Sequence, residues 1–131
     1  MGRNRTFVEA DVIERSVIAF RTTGYEGTSI DDLVQASGLH RGSLYKAFGS
    51  KRGIFLMALH NCTAPSPGDD TADLLLVALM ELAPRDTEIR SVVFEILDDP
   101  ASLHTADSLG RRLLERAAGP STTGNDQQET S

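Results

Sequence analysis

Residues 28 to 51, TSIDDLVQASGLHRGSLYKAFGSK, constrain this chain more than any other stretch. Thr28 and Ser29 precede Asp31 and Asp32, so the Ser/Thr-x-x-acid spacing of a capping box occurs twice in register. That spacing predicts a helix from about Ser29, with Ile30, Leu33 and Val34 as its apolar stripe. Gly38 breaks the pattern and Leu39 plugs the turn. A second short helix is expected from His40 to about Phe48, with Leu44 and Phe48 inward. Its other faces carry His40, Arg41, Ser43, Tyr45 and Lys46. Gly49 closes it, and Ser50 is a suitable cap for a third helix. Two short helices around a tight glycine turn, the second rich in basic and hydroxyl side chains, describe a helix-turn-helix.

The charge distribution agrees. The 131 residues suit one ordinary domain or two very small ones, and the formal net charge of -6 is spread unevenly. Residues 1–60 hold eight Lys/Arg against six Asp/Glu, whereas residues 61–131 hold five against thirteen. No acid occurs between Asp32 and Asp69, a span that carries Arg41, Lys46, Lys51 and Arg52. A basic patch in front of an acidic body docks on phosphate one way round. The single cysteine, Cys62, excludes an internal disulfide and suits a reducing cytoplasm. No signal peptide or membrane-length apolar run is present, so a cytoplasmic protein without membrane contact is expected.

The remaining sequence reads as helix throughout, giving an all-α chain of about seven helices. Residues 1–6 are expected to form a disordered arm, in which Arg3 and Arg5 suit a minor groove or merely fray. Helix 1 is expected from about Glu9 to Thr22, and the third helix-turn-helix-flanking helix from Lys51 to Asn61. TAPSPGDD, residues 63–70, stops that helix and separates a head, residues 1–62, from a body, residues 69–118. The body begins with ADLLLVALMELA, apolar on nearly every side, as for a central helix or half of a dimer contact. A sixth helix follows from Thr87 to Leu97, and a seventh is expected from the Asp99-Pro100 cap to Ala118. Residues 119–131 hold almost no apolar side chain and are expected to be a disordered tail.

Sites of other kinds are poorly supported. His60-x-Cys62 offers two ligands where zinc needs three or four, so no metal or other cofactor is expected. No phosphate-cradling glycine loop or nucleophile elbow occurs, and the acid pairs fall at helix ends. The chain is not expected to be an enzyme.

Over residues 12–59 the chain resembles the DNA-binding domain of the tetracycline-repressor (TetR) family. The resemblance is carried by AFRTTGYEGTSIDDLVQASGLHRGSLYKAFGSK followed by IFLMAL, with Phe20, Gly24-Tyr25, Thr28-Ser29, Gly38, Leu44-Tyr45, Phe48 and Ser50-Lys51 in order. It implies that the His40–Lys46 helix enters the major groove with Arg41, Gly42 and Ser43 at its reading end. Arg41 is suited to guanine or to phosphate, and Tyr45 and Lys46 to phosphate. Thr28 and Ser29 would offer helix 2's N-terminal amides to a phosphate, and Lys51 would complete the clamp. His40 departs from the small hydroxyl residue common at its position in the family. The resemblance further implies a homodimer on a palindromic operator, most often a repressor. The dimer is expected through helices 5 and 7, with Leu103, Ala106, Gly110, Leu113 and Ala117 as a stripe on helix 7 that faces either helix 5 of the same chain or a partner's helix 7. Release by a small apolar ligand would need a pocket, for which Met57, Leu76, Met80, Phe94 and Leu97 are the candidates, core packing being the alternative for each. Compared with the family, the C-terminal domain looks shortened. A partner of a full-length regulator, without its own operator, is therefore the alternative function.

Overall fold

The computed structural model describes residues 2–63 and 69–119, and side chains over 9–62 and 70–119. Seven α-helices follow in order: α1 Gly2–Thr23, α2 Ile30–Ser37, α3 Arg41–Phe48, α4 Lys51–His60, α5 Asp69–Val77, α6 Thr87–Asp98 and α7 Ala106–Ala118. A 3-10 turn, Asn61–Thr63, trails α4, and a π-turn, Ala78–Leu82, continues α5. No strand occurs among the described residues, as the helical periodicities require. The expected linker residues 64–68 and tail residues 120–131 lie outside the described residues.

Local chemistry accounts for most helix ends. Ser29 caps α2 and forms a reciprocal box with Asp32, Ser50 accepts from the Gly53 amide, and Asp86 accepts from the Ile89 amide. Only one of the two overlapping boxes expected at Thr28–Asp32 forms, because the Thr28 hydroxyl is engaged elsewhere. Gly38 takes a left-handed conformation, φ 79°, and its amide bonds to Val34 O. A side chain there would be strained.

Two helix starts differ from expectation. α1 begins at Gly2 rather than near Glu9, so the backbone of residues 2–8 is helical and not an arm. No proline or competing cap interrupts GRNRTFV, and the helix simply extends. α7 begins at Ala106 rather than at Pro100. The Asp99 carboxylate accepts from the Ala101 amide within a turn, while Thr105 and Ser108 form the capping box that starts the helix.

Packing is continuous from head to body. Phe20, Tyr25 and Phe55 form a ring cluster with centroids 5.0 to 5.8 Å apart, and Phe20 and Phe55 are fully buried. α1 lies against α2 and α4 on one side and against α5 on the other, and α5 packs on α7. Residues 72–78, from α5 into its π-turn, are all buried within the one chain. No broad α5 surface is left over for a dimer, contrary to expectation. Of the two neighbours expected for the α7 stripe, α5 of the same chain is not the one it faces. Leu109 is the inward residue, whereas Leu103, Ala106, Gly110, Leu113 and Ala117 are exposed. A Cβ on Gly110 would meet nothing within 4 Å, so among the described residues no other helix approaches it. The reason lies in α7's other face, where Arg112 and Arg116 reach inward to Asp73.

Candidate nucleic-acid interface

The helix-turn-helix is built as its sequence implies. Leu33 of α2 and Leu44 of α3 are buried, and the Ser37 hydroxyl accepts from the Leu39 amide to tighten the turn between them. That packing turns Arg41, Gly42, Ser43, Tyr45 and Lys46 to the exposed side of α3. A Cβ on Gly42 would meet nothing within 4 Å, so this part of the helix is open to close approach. His40 is the N-cap of α3 and is exposed, but its side chain makes no capping bond. The positive end of α3 thus lacks the side-chain acceptor that Ser29 and Ser50 give their helices.

Other expected contact residues are held in ways that sequence alone does not show. Arg41 pairs with Asp31 of α2, both side chains being largely exposed. Ser29 is exposed, with its hydroxyl accepting the Asp32 amide. The Ser29 backbone N–H in turn donates to the Asp32 carboxylate at 2.9 Å and lowers its pKa.

Thr28, expected at the DNA-facing start of α2, is turned inward. Its side chain is fully buried, and its hydroxyl donates to Gly24 O at 2.7 Å and lies 2.6 Å from the Thr23 hydroxyl. It ties the end of α1 to the start of α2 and does not reach the surface.

Lys51 is held inward as well. Its Nζ donates to Tyr25 O and Thr28 O, each at 3.0 Å, and sits 4.2 Å from the centre of the Tyr25 ring. Burial raises the Tyr25 pKa, with the Glu26 charge adding to the effect.

Arg52, counted from the sequence with the basic patch, belongs instead to the seam with the body. It forks onto Asp86 at 2.8 and 3.0 Å and reaches Glu88 at 2.8 Å. These bonds raise the Arg52 pKa further and hold the Asp86 carboxyl down to about 2. Glu81 fastens the same seam by accepting the Glu26 amide at 2.8 Å. The exposed cations left at the helix-turn-helix are Arg41 and Lys46.

The five residues expected to line an apolar pocket are not brought together. Met57, Met80 and Phe94 are exposed, Leu76 is buried in the core, and Leu97 packs at the core's edge. Leu76 and Met80 share a recess of about 250 Å³ with Thr22, Val77 and Leu113, away from the other three. Core and surface positions alternate here because α5 is buried on all sides up to its π-turn, where Met80 swings out. The described residues contain no group of three potential metal ligands, and no helix long and apolar enough to cross a membrane.

Sequence reading overlooked a buried ion cluster. Asp73 of α5 is fully buried and receives a fork from Arg112, 2.7 and 3.0 Å, and a contact from Arg116 at 3.1 Å. An acid in the middle of an apolar helix was the available signal, since a buried carboxylate requires a partner.

Comparison with known proteins places these features. Residues 12–58 match the family model described as bacterial regulatory proteins, tetR family. Over 59 residues the chain is 48% identical to the uncharacterized HTH-type transcriptional regulator YezE of Bacillus subtilis (strain 168), which covers 45% of this chain and 30% of that protein. It is 34% identical over 59 residues to the HTH-type transcriptional repressor BdcR of Escherichia coli (strain K12), covering 45% and 30%. It is 31% identical over 51 residues to the biofilm operon icaADBC HTH-type negative transcriptional regulator IcaR of Staphylococcus aureus (strain Newman), covering 39% and 27%. The matched stretch thus spans under a third of these relatives' length. No solved structure matches the chain.

Proposed function

Since residues 12–58 are a helix-turn-helix head of the tetR family of bacterial regulatory proteins, we propose that this chain is a DNA-binding transcriptional regulator, a repressor that acts as a dimer on a palindromic operator. The observation that carries the reading is the exposed face of α3. It presents Arg41, Gly42, Ser43, Tyr45 and Lys46 around an N-terminal end without a side-chain cap. A helix of that composition fits the major groove, where Arg41 and Ser43 can read base edges and Tyr45 and Lys46 hold phosphate. Ser29 stands at the positive end of α2, which favours a second phosphate. Repression is favoured because two of the similar proteins are named as a repressor and a negative regulator.

The outer face of α7 supports two-fold assembly. Ala106, Gly110, Leu113, Leu114 and Ala117 form one exposed, largely apolar face of α7, with open space at Gly110 among the described residues. A second copy of the same face would cover it and set two heads on successive major grooves. The same face favours a second reading, pairing with another family member in a mixed dimer. The five candidate residues for an apolar ligand do not form one site, so nothing in their arrangement supports release by such a ligand.

The test is retardation of the DNA flanking the chain's own gene by the purified protein, followed by sequencing of genomic DNA that it captures. A single enriched palindrome supports the proposal. Failure to enrich any sequence, with DNA bound only when a related regulator is added, supports the mixed dimer.

A further inference from the structure

The body grips the turn between α1 and α2 through Glu81. This residue lies in the π-turn that continues α5, and its Oε1 accepts the Glu26 amide at 2.8 Å. Its Oε2 comes so close to the turn that a Cβ on Gly24 would stand 2.5 Å from it. Gly24 is also left-handed, φ 84°, so the turn uses glycine both for its backbone and to admit the carboxylate. An amide bound to a carboxylate is a charge-assisted hydrogen bond, stronger than a neutral one. Arg85 braces the same place. Its Nε donates to Glu81 O at 3.2 Å, and its Nη2 lies 3.4 Å from the Glu26 carboxylate. That second contact is exposed at both ends and adds little.

Glu81 stands between two surfaces. Ser29, the N-cap of α2, follows Glu26 by three residues, so whatever fixes the turn fixes the entry to the helix-turn-helix. On its other side, Glu81 borders a recess of about 250 Å³ together with Gly24, Met80 and Leu113. Leu113 belongs to the outer face of α7, and Met80 is also exposed. The surface offered to a second copy and the turn that aims α2 and α3 therefore meet around Glu81. Wide turns of this kind are rare within helices and recur at functional sites.

We propose that Glu81 is a positioning residue that holds the helix-turn-helix at a fixed angle to the body and so sets the half-site spacing a dimer accepts, a role that rests on the two-fold DNA binding proposed above. One base pair inserted between half-sites turns one of them by about 35° about the DNA axis, at roughly 10 base pairs per turn. A head can follow only by swinging on the body, which breaks the bond from the Glu26 amide to Glu81. The strength of that bond is then part of the penalty against the wrong spacing. On the right spacing, or on a single half-site, the bond stays intact and no penalty arises.

The full chain is titrated on three DNAs. These are the palindrome enriched from genomic DNA, the same palindrome with one base pair inserted at its centre, and a single half-site. The parent should discriminate against the insertion. Glu81→Ala should lower that discrimination about ten-fold, the equivalent of one charge-assisted hydrogen bond, and leave affinity for the half-site unchanged. Glu81→Gln keeps an oxygen that can accept the Glu26 amide and should fall between the two. Without DNA, exchange of the Glu26 amide followed by NMR should be slow in the parent and about ten-fold faster in Glu81→Ala. Far-UV dichroism confirms that each variant is folded. A folded Glu81→Ala variant with the parent's discrimination overturns the proposal. So does one weakened equally on all three DNAs, the mark of a merely structural role. A parent that enriches no palindrome overturns the function proposed above and the spacing role with it, while the Glu26 exchange still reports whether Glu81 holds the turn.

Discussion

Lys51 Nζ donates to the carbonyl of Tyr25 at 3.0 Å and rests 4.2 Å from the centre of the same residue's ring. With its second bond, to Thr28 O, it joins the start of α4 to the loop before α2. Lys51 and Lys46 should therefore fail in different ways when removed. Lys51→Ala is expected to cost about 1.5–3 kcal/mol of stability, the range for hydrogen bonds from a charged donor. Lys46→Ala should leave the melting temperature alone and lower the slope of log K against log salt by ~0.9. Thermal melts and salt titrations of DNA binding, run on both variants, check the contrast. A large salt-slope change in Lys51→Ala with no loss of stability would reverse the assignment.

Arg41 is shared between Asp31 and any base or phosphate it meets. An exposed pair of this kind contributes only about 0–1 kcal/mol, so DNA can compete for the arginine. Asp31→Asn should tighten binding to every sequence by freeing Arg41 and removing a negative charge. Arg41→Ala should cost about 1–3 kcal/mol on the operator and relax preference at one base pair if it reads guanine. Uniform weakening across all sequences would place Arg41 on the backbone instead.

The α7 face gives the assembly prediction. Leu114 is 73% exposed, and Gly110 has open space on its outer side. Leu114→Arg should give folded monomers by sedimentation, and Gly110→Leu should weaken the dimer more than Gly110→Ala. A parent protein that sediments as a monomer at tens of micromolar removes the model altogether.

Acid should loosen the seam between head and body. Asp86 has its folded pKa lowered to about 2, first by the Arg52 hydrogen bonds and then by the Ile89 amide. A depressed carboxylate contributes stability that is complete above its unfolded value, about 3.9, and is lost as pH falls through the folded value. Thermal melts should therefore drop between about pH 4 and pH 2, with Asp86→Asn less stable at neutral pH and flatter across that window. Parallel pH profiles for parent and variant would exclude Asp86 as a contributor.

The helix-turn-helix was legible because its determinants are local. Ser29, Asp32, Gly38 and Ser50 act within a few residues of themselves, and Leu33 and Leu44 follow a helical period. The fates of Thr28, Lys51 and Arg52 were not legible. A hydroxyl or a cation beside a helix start reads alike whether it faces phosphate or a neighbouring carbonyl. Only the packing of α1 and α6 decides between them. Asp73 was lost inside an apolar run because its arginine partner lies 39 residues away. The inward face of the seventh helix was hidden for the same reason, since Arg112 and Arg116 reach a carboxylate on α5 that nothing near them in sequence announces.

The π-turn at Ala78–Leu82 has a consequence for how this chain tolerates change. The Ala83 amide bonds to Ala78 O, so one residue more than an α-turn is wound into that segment. Loss of one residue from a regular α-helix turns everything beyond it by roughly 100°. Loss of one residue from Ala78–Leu82 would instead convert the wide turn to an ordinary one, because the surplus residue is taken up within that turn and does not set the phase beyond it. The fork of Arg52 on Asp86 should therefore survive a one-residue shortening here that it would not survive within α5.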